Sequence, residues 1–203
     1  MNKVAIVIPS HNLVPMQFAL SLAGLVGVST SPDVQVALIN IQGVYLPVTR
    51  TMGVNKARAM EATHVMFIDS DMSFPADGIH HLLRPDKDII GANYVRRQLP
   101  HDSLARAKNG KDQDVSGVVE VDQLPTGFML IKTSVFDRIP KPWFATPWND
   151  DNENLTGEDY YFCDKARANG ISIWMDADLS THVTHWGDVG YRWAGEEYER
   201  VEL

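Results

Sequence analysis

The sequence is short of cysteine, of positive charge and of long apolar runs, and each shortage excludes something. One cysteine, Cys163, permits no intrachain disulfide. It falls in an apolar stretch of an expected helix, where a buried, inert thiol is the ordinary role. With 18 Lys and Arg against 26 Asp and Glu, the net charge is −8. That balance argues against a broadly basic surface for nucleic acid, though a local patch stays open. The greasiest stretch, residues 13–28, is interrupted by Pro15, Gln17, Ser21 and two glycines, so it reads as a buried helix too short to span a bilayer. A strand is expected within three residues of the N-terminus, which leaves no room for a signal peptide and points to a cytoplasmic protein. Repeats and interdomain linkers are also missing, and 203 residues suit one α/β domain with a sizeable core.

What the sequence does have is centred on residues 64–74, HVMFIDSDMSF. Four apolar residues, Val65 to Ile68, suit a strand buried on both faces of a sheet. The run stops at Asp69-Ser70-Asp71. Carboxylates two residues apart on an extended chain point to one side, and the carboxyl ends of strands in open α/β sheets are where ligands bind. Such a pair repels itself unless a cation or a donor-rich ligand lies between; a hard divalent metal bridging to phosphate oxygens fits. The plain alternative is a polar turn.

Around this centre, strands are expected at 4–8, 34–41 and 88–93, and helices at 15–27, 49–62 and 75–83. Their alternation implies a doubly wound, mainly parallel (mixed) sheet with helices on both faces. Residues 94–114 are polar and aperiodic, a loop length that is usually functional or disordered. Strands at 115–121 and 128–131 flank Leu124-Pro125-Thr126-Gly127. Residues 140–155 are irregular and aromatic; a helix at 157–168 and a strand at 171–175 precede a tail with His182, His185 and Trp186.

VAIVIPSHN, FIDSD, TGFMLI, GEDYYFCDKARANG and a histidine followed by Trp-Gly stand in the order used by GT-A fold glycosyltransferases. Over roughly residues 4–187 the chain resembles the compact family-2-like enzymes often encoded by phages and other viruses. The resemblance implies a single domain, with residues 1–93 as the nucleotide-binding half and 94–203 as the acceptor side. It places the nucleotide on Pro9, Ser10, His11 and Asn12, and near Ser70. It gives Asp69 to the ribose and, with Asp71, to the metal. An arginine on the preceding helix approaches the diphosphate or donor sugar, here Arg50, although Arg50-Thr51 replaces the Arg-Asn of many members. His185 becomes the third metal ligand, with manganese (or magnesium) as the ion, since imidazole beside carboxylate suits manganese better. A UDP-sugar is the favoured donor.

An inverting transferase also needs a base for the attacking hydroxyl. The resemblance assigns this to the Glu158-Asp159 pair, with Asp159 the chosen residue. Thr156-Gly157-Glu158-Asp159 is equally a helix capping-box pattern. Gly127 offers a side-chain-free approach beneath the donor sugar, or is an ordinary turn. The 143–148 aromatics stack on a sugar or base, or complete the core. Tyr94, Arg96 and Arg97 contact donor or acceptor, or form a solvated loop.

Three classes therefore compete. One is a metal-dependent glycosyltransferase acting on a saccharide or small hydroxylated acceptor, with hydroxylated bases in DNA as the lesser alternative. The second is a metal-dependent phosphodiesterase or nuclease, and the third a non-catalytic nucleotide-sugar or glycan binder.

Overall fold

The computed structural model describes residues 1–11, 13–97, 103–108, 116–151, 153–187, 190–194 and 197–201. Asn12, singled out above, and Lys111, the last basic residue of the polar stretch at 94–114, lie outside them. Strand β1 (Asn2–Ser10) leads to helix α1 (Met16–Ser29), β2 (Val34–Gln42), α2 (Leu46–Ala59), β3 (His64–Ile68) and the two-residue β4 (Met72–Ser73). Next come α3 (Gly78–Leu83), β5 (Ile89–Gly91), β6 (Arg106–Ala107), β7 (Val118–Gln123) and β8 (Phe128–Lys132). The remainder is α4 (Val135–Arg138), β9 (Trp148–Asn149), β10 (Asn154–Leu155), α5 (Glu158–Ala168), β11 (Ile173–Asp176) and α6 (Ala177–Ser180), then β12 (Thr184–Trp186), β13 (Gly190–Ala194) and β14 (Glu197–Val201).

Eight strands form the main sheet in the order β2-β1-β3-β8-β5-β11-β7-β6. The β1–β2, β1–β3 and β5–β11 pairs are parallel, and β8 and β7 run against their neighbours. Every residue of β3 is buried, so its apolar run serves both faces. Val65 and Phe67 join one core layer with Val54 and Ala57 of α2 and Phe162 of α5. Met66 and Ile68 join the other, with Phe18 and Leu25 of α1 and Ile79 and Leu82 of α3. Helices thus cover both faces, as the alternating pattern predicts.

Helix α2 begins three residues earlier than its composition suggests, because Pro47 suits the first turn, where no amide partner is needed. It lies close to β1: a Cβ on Gly53 would stand 2.2 Å from Val7 Cγ1. Helix α3 starts at Gly78 rather than Pro75, since Pro75–Gly78 closes a separate turn through Gly78 N–H and the Pro75 carbonyl. The expected loop after residue 93 contains the short β6, paired with β7. The aromatic segment divides. Trp143 and Phe144 are buried against Phe136 and Phe162, whereas Trp148 is exposed on the β9–β10 hairpin. The tail folds into a second sheet, β14-β13-β12-β4, which returns the chain to the centre. No helix among the described residues is long and apolar enough to cross a membrane.

Candidate active site

The site forms where β8 is inserted between β3 and β5. The carboxyl ends of β3 and β5 and the start of β8 meet there, because β8 is antiparallel to both. Asp69 N–H donates to the Gly127 carbonyl at 3.0 Å. The Tyr94 hydroxyl, just past β5, accepts the Gly127 N–H at 2.9 Å. A Cβ on Gly127 would lie 2.2 Å from Tyr94 Oη and 2.9 Å from Asp69 Oδ2. Glycine is required at this point because the space is taken by two polar side chains.

Asp69 and Asp71 take different cationic partners, although the charge of Asp71 still reaches Asp69. The Met72 N–H donates to the Asp69 carbonyl at 3.3 Å, and this tight turn replaces the extended chain on which the shared direction depends. Asp69 turns to Arg50, whose Nη2 lies 2.9 Å from its Oδ1. Arg50 Nε also donates to Glu158 Oε1 at 3.1 Å. One arginine thereby joins acidic groups 19 and 108 residues away. Its guanidinium rests 5.3 Å from the centroid of Phe67. Burial opposes its charge, but the two carboxylates outweigh that and raise its pKa. For Asp69, burial pushes the carboxyl up against the pull of Arg50.

Arg50 Nη1 and the neighbouring turn's Thr126 Oγ1 are buried without a hydrogen-bond partner. A buried polar group left this way costs about 1–3 kcal/mol, a cost that a ligand oxygen or an ordered water in reach would remove.

Asp71 has a different environment. The Trp186 N–H donates to its carbonyl at 2.8 Å, and β12 pairs with β4 next to it. His185 Nε2 lies 3.5 Å from Asp71 Oδ2, and its Nδ1 lies 3.0 Å from the Val95 carbonyl. Arg97 Nη1 is 3.0 Å from the same Asp71 oxygen. Burial works against the Asp71 carboxylate, yet His185 and Arg97 hold its carboxyl below the ordinary value.

A carbonyl can only accept, so Nδ1 carries hydrogen and donates to Val95, and Nε2 is the ring nitrogen left facing the carboxylate. That donor set fits manganese. Among the described residues no group of three or more metal-ligating side chains converges. A site completed by substrate phosphates needs only one or two protein ligands. His182 lies outside it, exposed and bonded through Nδ1 to the Asp178 carbonyl.

Helix α5 brings Glu158 and Asp159. The capping box is not formed: Gly157 is the N-cap and no side chain caps the helix. Asp159 Oδ1 instead accepts the Tyr160 N–H at 2.8 Å. Burial first, and the Glu158 charge beside it, push the Asp159 carboxyl up to about 6. Cys163, one turn further on, is buried with its thiol pushed up to about 12, the inert state expected of it.

At the end of β1, Pro9 is buried and His11 exposed, and Ser70 beyond β3 is half-buried, while Ser10 Oγ donates to Asn40 Oδ1 at 2.6 Å. Asn40 and Trp186 gave no sign of these contacts in the sequence. Each acts through a partner distant along the chain.

The fold is a shared one. The crystal structure titled A197 from STIV superposes with a TM-score of 0.67 over 100% of this chain and 95% of that one, at 16% identity. The likeness shows an α/β fold of GT-A type, a mixed eight-stranded sheet in a single domain. In all, 137 solved chains match, and a fold so widely used does not by itself assign a reaction. No protein-family model and no curated protein matches the sequence.

Proposed function

We propose that this protein is a metal-dependent glycosyltransferase. It would move a sugar from a nucleotide-sugar donor, UDP-sugars first among them, to the hydroxyl of a saccharide or small acceptor, with inversion. The observation that carries this reading is the double ion pair of Arg50. By holding Asp69 and Glu158 at once, it ties one strand-end acid to helix α5, which supports reading these elements as one site.

Each residue then has a task. A divalent ion held by Asp71 and His185 would supply neutralisation of the leaving diphosphate. Asp69, fixed by Arg50 and the Gly127 backbone, offers a carboxylate oxygen to ribose hydroxyls. Glu158 is committed to Arg50, so Asp159 is the free base. Its carboxylate takes the proton from the acceptor hydroxyl while that oxygen bonds to the anomeric carbon and the bond to the diphosphate oxygen breaks. A base with a pKa near 6 is ionised at neutral pH yet holds a proton better than an ordinary aspartate.

A two-metal nuclease is less well supported, because such sites gather several carboxylates around one point, and the acids here are divided between Arg50 and Arg97. The deciding experiment incubates the protein with manganese and either a panel of nucleotide sugars or labelled DNA and RNA. Release of nucleoside diphosphate, lost in Asp159→Asn, supports glycosyl transfer. Strand cleavage without such release makes the protein a phosphodiesterase, and neither activity leaves a binder.

A further inference from the structure

Asp71 already has a cation. Arg97 Nη1 lies 3.0 Å from Asp71 Oδ2, and the same nitrogen donates to the Trp186 carbonyl at 3.2 Å. The oxygen it holds is the one that faces His185 Nε2 at 3.5 Å. With Nδ1 donating to the Val95 carbonyl, His185 Nε2 and the Asp71 carboxylate face one point, and a guanidinium now sits on that carboxylate. The Arg97 side chain is 46% exposed against 29% for Asp71, so the arginine is the member of the pair able to swing away.

We propose that Arg97 is a resident counter-cation. It competes with a divalent ion for Asp71 and transfers to the diphosphate when metal and nucleotide arrive together. The proposal rests on the metal-dependent reading above. A free metal ion must displace the guanidinium and leave it without an anion. A metal–diphosphate brings phosphate oxygens that suit the planar fork of arginine, often in bidentate fashion. Metal and nucleoside diphosphate therefore bind cooperatively, each raising the affinity for the other by the same factor. The coupling passes through Arg97.

The test is a calorimetric or spin-resonance titration of Mn2+, with and without UDP, into the wild-type protein, Arg97→Gln and Asp71→Asn. Arg97→Gln should bind Mn2+ alone more tightly, by about fivefold for a half-exposed ion pair at the upper end of the usual range. The enhancement of Mn2+ affinity by UDP should shrink correspondingly. Equal or weaker Mn2+ binding by Arg97→Gln, while Asp71→Asn still abolishes it, overturns the proposal and leaves the metal site standing. Binding of UDP with no Mn2+ uptake by either the wild type or Arg97→Gln overturns both.

Discussion

Glu158 and Asp159 are adjacent in sequence and treated differently by the fold. Glu158 gives its charge to Arg50, while Asp159 has a backbone amide and an unfavourable, partly desolvated charge. For an acid whose folded pKa is raised, the folded state binds the proton more tightly than the unfolded one. The associated stability is complete below the ordinary aspartate value of 3.8 and lost as pH rises to about 6. Asp159→Asn should therefore melt higher than wild type at pH 7.5, by on the order of 1 kcal/mol after allowance for partial exposure. The gain should vanish near pH 4. The same variant should lose about a hundredfold or more in turnover, and the wild-type rate should rise with pH to a plateau above about 6. A variant that is less stable yet fully active would show that Asp159 is structural. At the metal pair, Asp71→Ala and His185→Ala should each weaken manganese-dependent UDP binding in calorimetry. An unchanged affinity in Asp71→Ala would remove that aspartate from the metal assignment.

Elements explain which of these positions were legible beforehand. Strand β3 was readable because burial on both faces demands an unbroken apolar run, and α5 because its acids, basic end and Gly170 mark its limits. The direction of Asp69 was not, since a local hydrogen bond turned the chain at Asp69–Met72 where an extended continuation was expected. The C-terminal hairpin was missed because it docks on β4, two residues long, too short to leave a periodic signal. Its position is what brings His185 to Asp71. Gly127 was legible as a glycine, but its reason lay in Tyr94 and Asp69, which belong to other elements. Gly127→Ala should accordingly destabilise the protein by about 1–3 kcal/mol, as overpacking does, and impair UDP binding. Adding Tyr94→Phe removes the hydroxyl at 2.2 Å and should restore part of the melting temperature, although the Gly127 N–H then loses its acceptor. Were the double variant no more stable than Gly127→Ala, contact with Tyr94 would not be what requires glycine.

Over the whole molecule, charge is the feature that bears on the acceptor. A net charge of −8 is offset by one dense basic run, Arg96 to Lys111, and the structure spends several of those charges internally. Arg97 sits on Asp71, Lys108 pairs with Glu120 on β7 at 2.6 Å, and Arg106 lies 5.9 Å from the centroid of the Tyr160 ring. The hairpin segment bearing Asp150, Asp151 and Glu153, close before the proposed base in sequence, adds further negative charge. A protein making several phosphate contacts loses about 10³-fold or more in affinity between roughly 50 and 200 mM salt. A saccharide or small hydroxylated acceptor releases no such counterions. Transfer to a neutral saccharide acceptor should thus change by less than about twofold over that range, with the Michaelis constant for the acceptor as the sensitive quantity. Duplex DNA added as competitor should leave it unaltered. A steep loss of acceptor affinity with salt, relieved by replacing Arg106, Lys108 and Lys111, would instead identify those residues as phosphate contacts and hydroxylated bases in nucleic acid as the acceptor.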